Sequence, residues 1–514
     1  MEEITKNAVH IDETVFDGQA EQGVELDYVL PDYYPDIFKI LSCTLTPRIS
    51  SYSVSGGCKL TLDGIVYIKV LYLAENSGGV YCIDQRYTYT KTVDMSRGGL
   101  VSDTAEPVVS LAMKSDYCNC RAPGPRRIDV RGAVTCRIKA SACTEYVLPL
   151  IPEGLQVRTK EIKCCGETLF AAKQPVVREE IETGAAGIAF ILQSDAVPKV
   201  TDLRVIADKA VLKGTVTINA LYGISDPETN GCVETEKMSA DIPISAILDI
   251  DGITDSHTAY PEIFVLNMEL IPKPDSGLIS CELLVECRVR AQLEDTVGIA
   301  TDVYSTEYET EFISGPIKLS SEPRTISQNI PVRVNLTSDK GEIRSVWDVS
   351  AEFRNPVCRP DQNGDLILTG QLCCRAFGKN AEGVPFFLEK QEAVEQNISA
   401  ANITPDTTVD FSVNVADTGF SIRSDGSLEI AAALDLRASL HNSCPVDAIS
   451  TVTVHEDRPK DKSDEFALRI CYTNEPSDCW TIAKQCNTTV KAIMEENAIE
   501  DSNAPLSGMI IIPI

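Results

Sequence analysis

Histidine and tryptophan are scarce in this 514-residue chain, with four of the first and two of the second. A hydrolase triad needs a histidine beside a nucleophile and a carboxylate, and many metal centres need one as a ligand. Here His10, His257, His441 and His455 lie near termini, turns or domain edges, and none sits in such a motif. A Gly-x-Ser-x-Gly elbow, a phosphate-binding loop and a dinucleotide fingerprint are also missing. Acidic pairs, as in "EDTVG" and "REEIE", are what chance gives a chain with 76 acids, so they mark no general acid or base. The expectation is a protein that is not an enzyme and carries no cofactor.

Positive charge is the second shortage. Lys and Arg number 46 against 76 Asp and Glu, a net charge of −30. Phosphate backbones and anionic membranes need a basic face, so neither nucleic acid nor a membrane surface is the expected partner. No run approaches the roughly 18 apolar residues that a membrane-spanning helix needs, so no membrane insertion is expected. The opening "MEEITKNAVHIDETVFDG" has no basic n-region and no apolar h-region. The chain is therefore expected to be made in the cytoplasm and to stay there. An acidic surface serves solubility first; a basic protein partner is the sharper option.

Cysteine is plentiful, but its spacing excludes the usual uses. Nineteen is an odd number, the positions are scattered, and two pairs are adjacent, Cys164-Cys165 and Cys373-Cys374. Neighbouring cysteines are rarely bridged, because the geometry is strained. No two cysteines are separated by two residues; Cys118 and Cys120 come nearest to a ligand pair, and no metal is expected. Most of the others fall inside strand-like runs, where a thiol is a small hydrophobe, and a reducing compartment fits them.

What the chain does have is repetition. "KLTLDGIVYIKVLY" (59–72) and "KAVLKGTVTINALY" (209–222) share their alternation, a glycine at one place and a final tyrosine, and "GDLILTGQLCCRAF" (364–377) is a looser third copy. Gly64, Gly214 and Gly370 mark a period near 150 residues. A second series, "VTCRIKA" (134–140), "VECRVRA" (285–291) and "AALDLRA" (432–438), runs between them. Upstream, "PRISSYSV" (47–54) matches "PKVTDLRV" (198–205), with no clear third counterpart. Period-two alternation predicts strands with one buried face, and the inner glycine suits a bulge or a close backbone approach. "ENSGG" (75–79), "SDPETNG" (225–231) and "GKNAEG" (378–383) read as hairpin connections. The prediction is a mainly β chain: three consecutive antiparallel β-sandwich or open-barrel repeat domains, each of two similar halves, at 1–155, 170–315 and 320–458.

Two segments break the pattern. "LPDYYPDIFKIL" (30–41) is the one helical candidate near the start, with Ile37, Ile40 and Leu41 on one helical face; framed by two prolines, it reads first as a capping turn packed on the first sandwich and second as a docking motif. The last fifty residues, 464–514, order as β-α-α-β: "ALRICYT" (467–473), a helix capped by Asp478, a second opened by Thr489, and "GMIIIPI" (508–514). This unit holds eight acids against three bases.

The stretch "SDCWTIAKQCNTTVKAIMEEN" and the ending "LSGMIIIPI" resemble the LysM domain. The departures are Ser477 for the usual glycine, Cys479 for threonine and Ser507 for proline. LysM domains bind N-acetylglucosamine polymers between the first loop and the loop after the second helix. Carried across, the resemblance implies a partner- or glycan-binding site at Asp478, Cys479, Trp480 and Thr481 with Asn497, Ala498 and Ile499. Ile482 reads better as core, while Trp480 is able to present a face. Repeated β domains before one LysM unit, with "LPDYYPDIFKIL" and the "LTLDGIVYIKVLY" series, resemble the SPOCS domains of the SipL family of spore-coat morphogenetic proteins. That resemblance implies a scaffold in the mother cell, at the forespore surface. There it would bind the coat's basal-layer ATPase, stage IV sporulation protein A, through the LysM unit, together with other coat proteins. The alternative is a peptidoglycan-binding protein of the cell wall or cortex, and the missing signal and reduced cysteines favour the scaffold.

Overall fold

The computed structural model describes residues 8–513 except 57, 76–78, 97–106, 150, 185–186, 226–231, 275, 321–323, 339–340, 401–402, 405–406, 461–467 and 503. Strands dominate, because β-branched and alternating sequence fills nearly every described segment. The first repeat contains β1 (Ala8–Val29), β2 (Ile37–Ser55), β3 (Lys59–Ala74), β4 (Val80–Asp94), β5 (Val108–Gly124) and β6 (Arg127–Val147). They form two antiparallel three-stranded sheets, β1-β6-β5 and β4-β3-β2, that face each other across one core.

The second repeat runs through β7 (Leu155–Cys165), β8 (Leu169–Lys173), β9 (Val176–Glu182), β10 (Ile188–Ile206), β11 (Lys209–Ser225), β12 (Cys232–Asp249), β13 (Thr258–Lys273), β14 (Leu278–Gln292) and β15 (Glu294–Ser305). Its sheets are β10-β11-β12 and β13-β14, with β8 and β9 both paired to β14 where β1 pairs with β6. The third repeat has β16 (Tyr308–Ser320), β17 (Arg324–Leu336), β18 (Ile343–Pro360), β19 (Leu366–Asn380), β20 (Pro385–Ile398), β21 (Thr408–Ile422), β22 (Leu428–His441) and β23 (Ser443–Pro459). Here the sheets are β17-β22-β21 and β18-β19-β20.

The two repeated sequence series are the middle strands of these sheets. Residues 59–72, 209–222 and 366–377 lie in β3, β11 and β19, and residues 134–140, 285–291 and 432–438 lie in β6, β14 and β22. The glycine of the first series sits across from a β-bulge in every copy: Gly64 opposite Ile49/Ser51, Gly214 opposite Val200/Asp202, Gly370 across from Arg354/Val357. A Cβ would stand 2.3 Å from the Tyr89 ring at Gly64, 2.2 Å from Ile263 Cδ1 at Gly214 and 2.4 Å from the Phe353 ring at Gly370. A side chain has no room at any of the three. In the third repeat β18 takes the place of "PRISSYSV" and "PKVTDLRV": Phe353 pairs with Leu372 where Pro47 pairs with Val66 and Pro198 with Val216.

Beyond each sandwich the chain forms a two-stranded stalk. The outer end of β1 pairs with the end of β6 beyond a bulge at Thr14/Phe16, β7 pairs with β15, and β16 pairs with β23. By this pairing residues 155–165 go with the second repeat and 308–315 with the third. The stalks share a core of Val9, Ile162, Val297, Ile299, Leu319 and Ala448. The sandwiches meet at a second shared point. A further bulge in the first strand of each inner sheet skips Leu41, Leu192 and Trp347. These three pack with Leu71, Leu221 and Phe377 from the adjacent middle strands. A single pairing, Cys232 with Val80, also joins β12 to β4.

The helical spacing at 30–41 gives no helix, and the segment forms the capping turn on the first sandwich. Residues 32–34 turn, and Ile37, Ile40 and Leu41 lie on β2. Arg126 decides this: its guanidinium donates to the carbonyls of Leu30, Pro31 and Tyr34 and to Asp36, while Ile37 N–H donates to Pro125 O at 2.8 Å. Those backbone groups therefore belong to a long-range clamp, and a helical ladder has no claim on them. Of the hairpin connections, Gly383 in "GKNAEG" has φ +78°. Residues 76–78 of "ENSGG" and 226–231 of "SDPETNG" lie outside the described residues.

Candidate functional site

The C-terminal unit folds as β24 (Leu468–Ser477), α1 (Cys479–Gln485), α2 (Val490–Asn497) and β25 (Leu506–Pro513), with β24 and β25 antiparallel. Both helix starts follow from their caps. Asp478 Oδ1 accepts from Thr481 N–H at 2.9 Å, and Thr489 Oγ1 accepts from Ala492 N–H at 3.1 Å. The core is Cys479, Ile482, Ala483, Ile493, Ile510 and Ile512, to which the body adds one residue, Tyr304. So small a core gains from a borrowed aromatic.

The first loop of the unit is turned onto the stalks. Trp480 is 8% exposed, and its ring meets that of Tyr304 edge-on at 5.0 Å. Its Nε1–H donates to Asp302 Oδ2 at 2.8 Å, and Lys484 Nζ donates to Asp302 Oδ1 at 2.6 Å. The same ammonium lies 5.4 Å above the Phe312 ring. Arg158 pairs with Asp478 at 2.8 Å, and Tyr304 Oη donates to Thr488 O at 2.8 Å. Thus β7, β15 and β16 each supply a contact to the docked unit. Burial raises the Asp478 pKa, but the Thr481 hydrogen bonds and the Arg158 guanidinium together outweigh it and hold the carboxyl below its usual range. Burial, followed by the Asp302 charge, pushes the Tyr304 phenol up.

The seven residues singled out in the sequence therefore divide. Asp478 caps α1 and meets Arg158, and Trp480 faces Asp302 and Tyr304. Cys479 is fully buried in the core, and the Thr481 N–H is taken by the cap. On the other loop, Asn497 is spent on β25: its Nδ2 donates to Ile511 O at 2.7 Å and to Ile493 O at 2.9 Å, and its Oδ1 accepts from Ile511 N at 2.8 Å. Ala498 is the left-handed cap of α2 with φ +50°, and Ile499 packs on the core. Ile482 is 1% exposed. The outer face of β24 and β25 stays open, with Ile470 at 64%, Tyr472 at 71% and Met509 at 65%. Arg158, Asp302, Tyr304 and Phe312 were not legible as site residues, because their partners lie more than a hundred residues away and no local motif surrounds them.

Among the described residues the body holds a buried ionic cluster. Glu286 and Arg288 pair beneath the surface at 0% and 5% exposure. Glu286 accepts from Tyr52 at 2.7 Å and from Gln174 at 2.6 Å, while Arg288 donates to Val109 O at 2.8 Å and to Ser110 at 3.1 Å. Tyr52, Val109 and Ser110 belong to the first repeat, so the cluster is a strut between sandwiches, with both charges fully engaged. Among the described residues no group of three or more His, Cys, Asp or Glu side chains is arranged to hold a metal ion. Among them also no helix is long and apolar enough to cross a membrane.

Comparison with known families agrees with this architecture. The model of the SipL SPOCS domain matches residues 36–115 and 188–271. Each match begins at or just before β2 or β10, takes in three strands and ends within a fourth, β5 or β13. The strands β18 to β21 repeat that order in the third copy. No curated protein matches the chain, and no solved structure does. The SPOCS domain is not an enzyme family, and the match marks a sporulation- or spore-coat-related protein. The chain is SipL-like, a mainly β repeat protein with a SPOCS-domain match in each of its first two repeats.

Proposed function

We propose that this chain is a non-enzymatic scaffold of spore-coat assembly that works in the mother cell at the forespore surface. In this reading it anchors coat layers by binding the basal-layer coat ATPase, stage IV sporulation protein A, through its LysM-like unit, and it recruits further coat proteins. The observation that carries the reading is the pair of SPOCS matches, which fall on corresponding strands of the first two repeats. The site supports a protein over a glycan as the partner of the C-terminal unit. Asp478, Trp480 and Asn497, three polar groups of the groove that a sugar would use, are already hydrogen-bonded within the chain. What remains open is the apolar outer face of β24 and β25, on a unit with eight acids and three bases, which suits a basic protein groove.

The test is capture by the full-length chain of the purified basal-layer ATPase on one side and of purified peptidoglycan on the other. The expected result is capture of the ATPase, reduced by Tyr472→Ser combined with Met509→Ser, and little retention on peptidoglycan. Strong peptidoglycan binding with no capture of the ATPase would favour the glycan-binding alternative and overturn the proposal.

A further inference from the structure

The described cysteines are free thiols, yet two of them touch across the first sandwich. Cys43 stands on β2 and Cys118 on β5, strands of opposite sheets, and their sulfurs are 3.2 Å apart. A disulfide bond is about 2.05 Å long, so closure asks for a movement of roughly 1 Å. Cys120, two residues along the same face of β5, also reaches the Cys43 thiol. The close approach has a local cause. Cys118 pairs with Gly132, where a Cβ would lie 2.5 Å from Leu45 Cδ1 and 2.6 Å from Tyr117 O. The two sheets can come together here because that side chain is missing. All three residues are half-buried.

We propose that Cys43 and Cys118 are a redox-active pair that hydrogen peroxide closes into a disulfide joining the two sheets of the first SPOCS domain, with Cys120 able to replace Cys118. The Cys118 thiolate attacks peroxide: a sulfur–oxygen bond forms, the oxygen–oxygen bond breaks and hydroxide leaves. Sulfur is oxidised to sulfenic acid and the peroxide is reduced. The Cys43 sulfur then attacks the sulfenic sulfur, the sulfur–sulfur bond forms, and the departing hydroxide takes the Cys43 proton away as water. The environment divides the two roles in this order. Hydrogen bonding from Cys43 lowers the Cys118 pKa, while the neighbouring Cys118 and Cys120 sulfurs and burial hold the Cys43 proton on. The bridge spans 75 residues and so constrains a long segment of the unfolded chain.

The test treats the reduced full-length chain with hydrogen peroxide, alkylates the remaining thiols and maps peptides without reduction. The expected product is a peptide pair joined through Cys43 and Cys118, lost in Cys43→Ser and replaced by a Cys43–Cys120 link in Cys118→Ser. The oxidised chain should also melt several degrees higher than the reduced one, with no such shift in Cys43→Ser. Recovery of Cys43 and Cys118 as separate alkylated peptides, or as singly oxidised acids with no link, would overturn the proposal.

Discussion

Two of the places where distant parts of this chain meet are built in opposite ways. The junction of the sandwiches is apolar and comes from corresponding positions of the three repeats: a bulged residue (Leu41, Leu192 or Trp347) and its neighbour on the middle strand (Leu71, Leu221 or Phe377). The dock of the C-terminal unit is polar at its rim and made of residues that occur once, with Asp302 holding Trp480 and Lys484 and with Arg158 holding Asp478. Repetition writes the first contact three times, so the body is specified by the same feature that specifies each repeat. The second is a single arrangement grafted onto two stalks.

Truncation at the junction should have the largest effect. Phe377 is 6% exposed and meets Trp347 edge-on at 4.7 Å. Phe377→Ala should cost about 3–5 kcal/mol, read as a drop in the urea midpoint with reduced cooperativity between the repeats. Gly214→Val should follow at roughly 1–3 kcal/mol, because the added side chain strikes Ile263 and the Lys199 carbonyl at a bulge. Gly23→Ala is the control, since a Cβ there meets nothing within 4 Å.

Smaller effects should sharpen the contrast at the dock. Asp302→Ala removes the acceptor of two hydrogen bonds and should weaken docking by about 1–3 kcal/mol while the body unfolds as before. A cycle with Trp480→Phe should show coupling of at least about 0.5 kcal/mol, and additive effects would mean that the two side chains do not meet in solution. Acid should then separate the two contacts. The folded pKa of Asp478 lies below its unfolded value, so its stabilisation is complete above about pH 4 and is lost as pH falls through the folded value. Asp348, which pairs with Lys237 beside the junction, has the opposite sign. Burial raises its pKa more than the Lys237 contact lowers it, so its contribution is greatest in acid and declines as pH rises through the folded value. Fluorescence of Trp480, followed in a Trp347→Phe chain, should report undocking in acid before the junction loosens. Loss of both at one pH would contradict the difference.

The middle strands were legible because they are buried on one face over many residues and carry a glycine that the bulge requires. Their period of two and their spacing near 150 residues are written locally. The caps at Asp478 and Thr489 were legible for the same reason, since a cap involves residues three apart. The turn at 30–41 was legible from its two framing prolines, but the residue that clamps it, Arg126, lies about ninety residues on and was not. Trp480 stood out by rarity, but its surroundings did not: Asp302 is 178 residues away, and "TDVYS" (301–305) reads as ordinary edge strand. The stalks escaped notice because their strands pair only with distant strands, so no short hairpin announces them.

The most direct measurement is amide hydrogen exchange over residues 478–488 in the full-length chain, compared with Tyr304→Ala. The docked arrangement predicts strong protection of this stretch in the parent chain and its loss in the variant, with protection of β3, β11 and β19 unchanged. Equal protection of residues 478–488 in both chains would contradict it, since the first loop would then be held by the small unit alone.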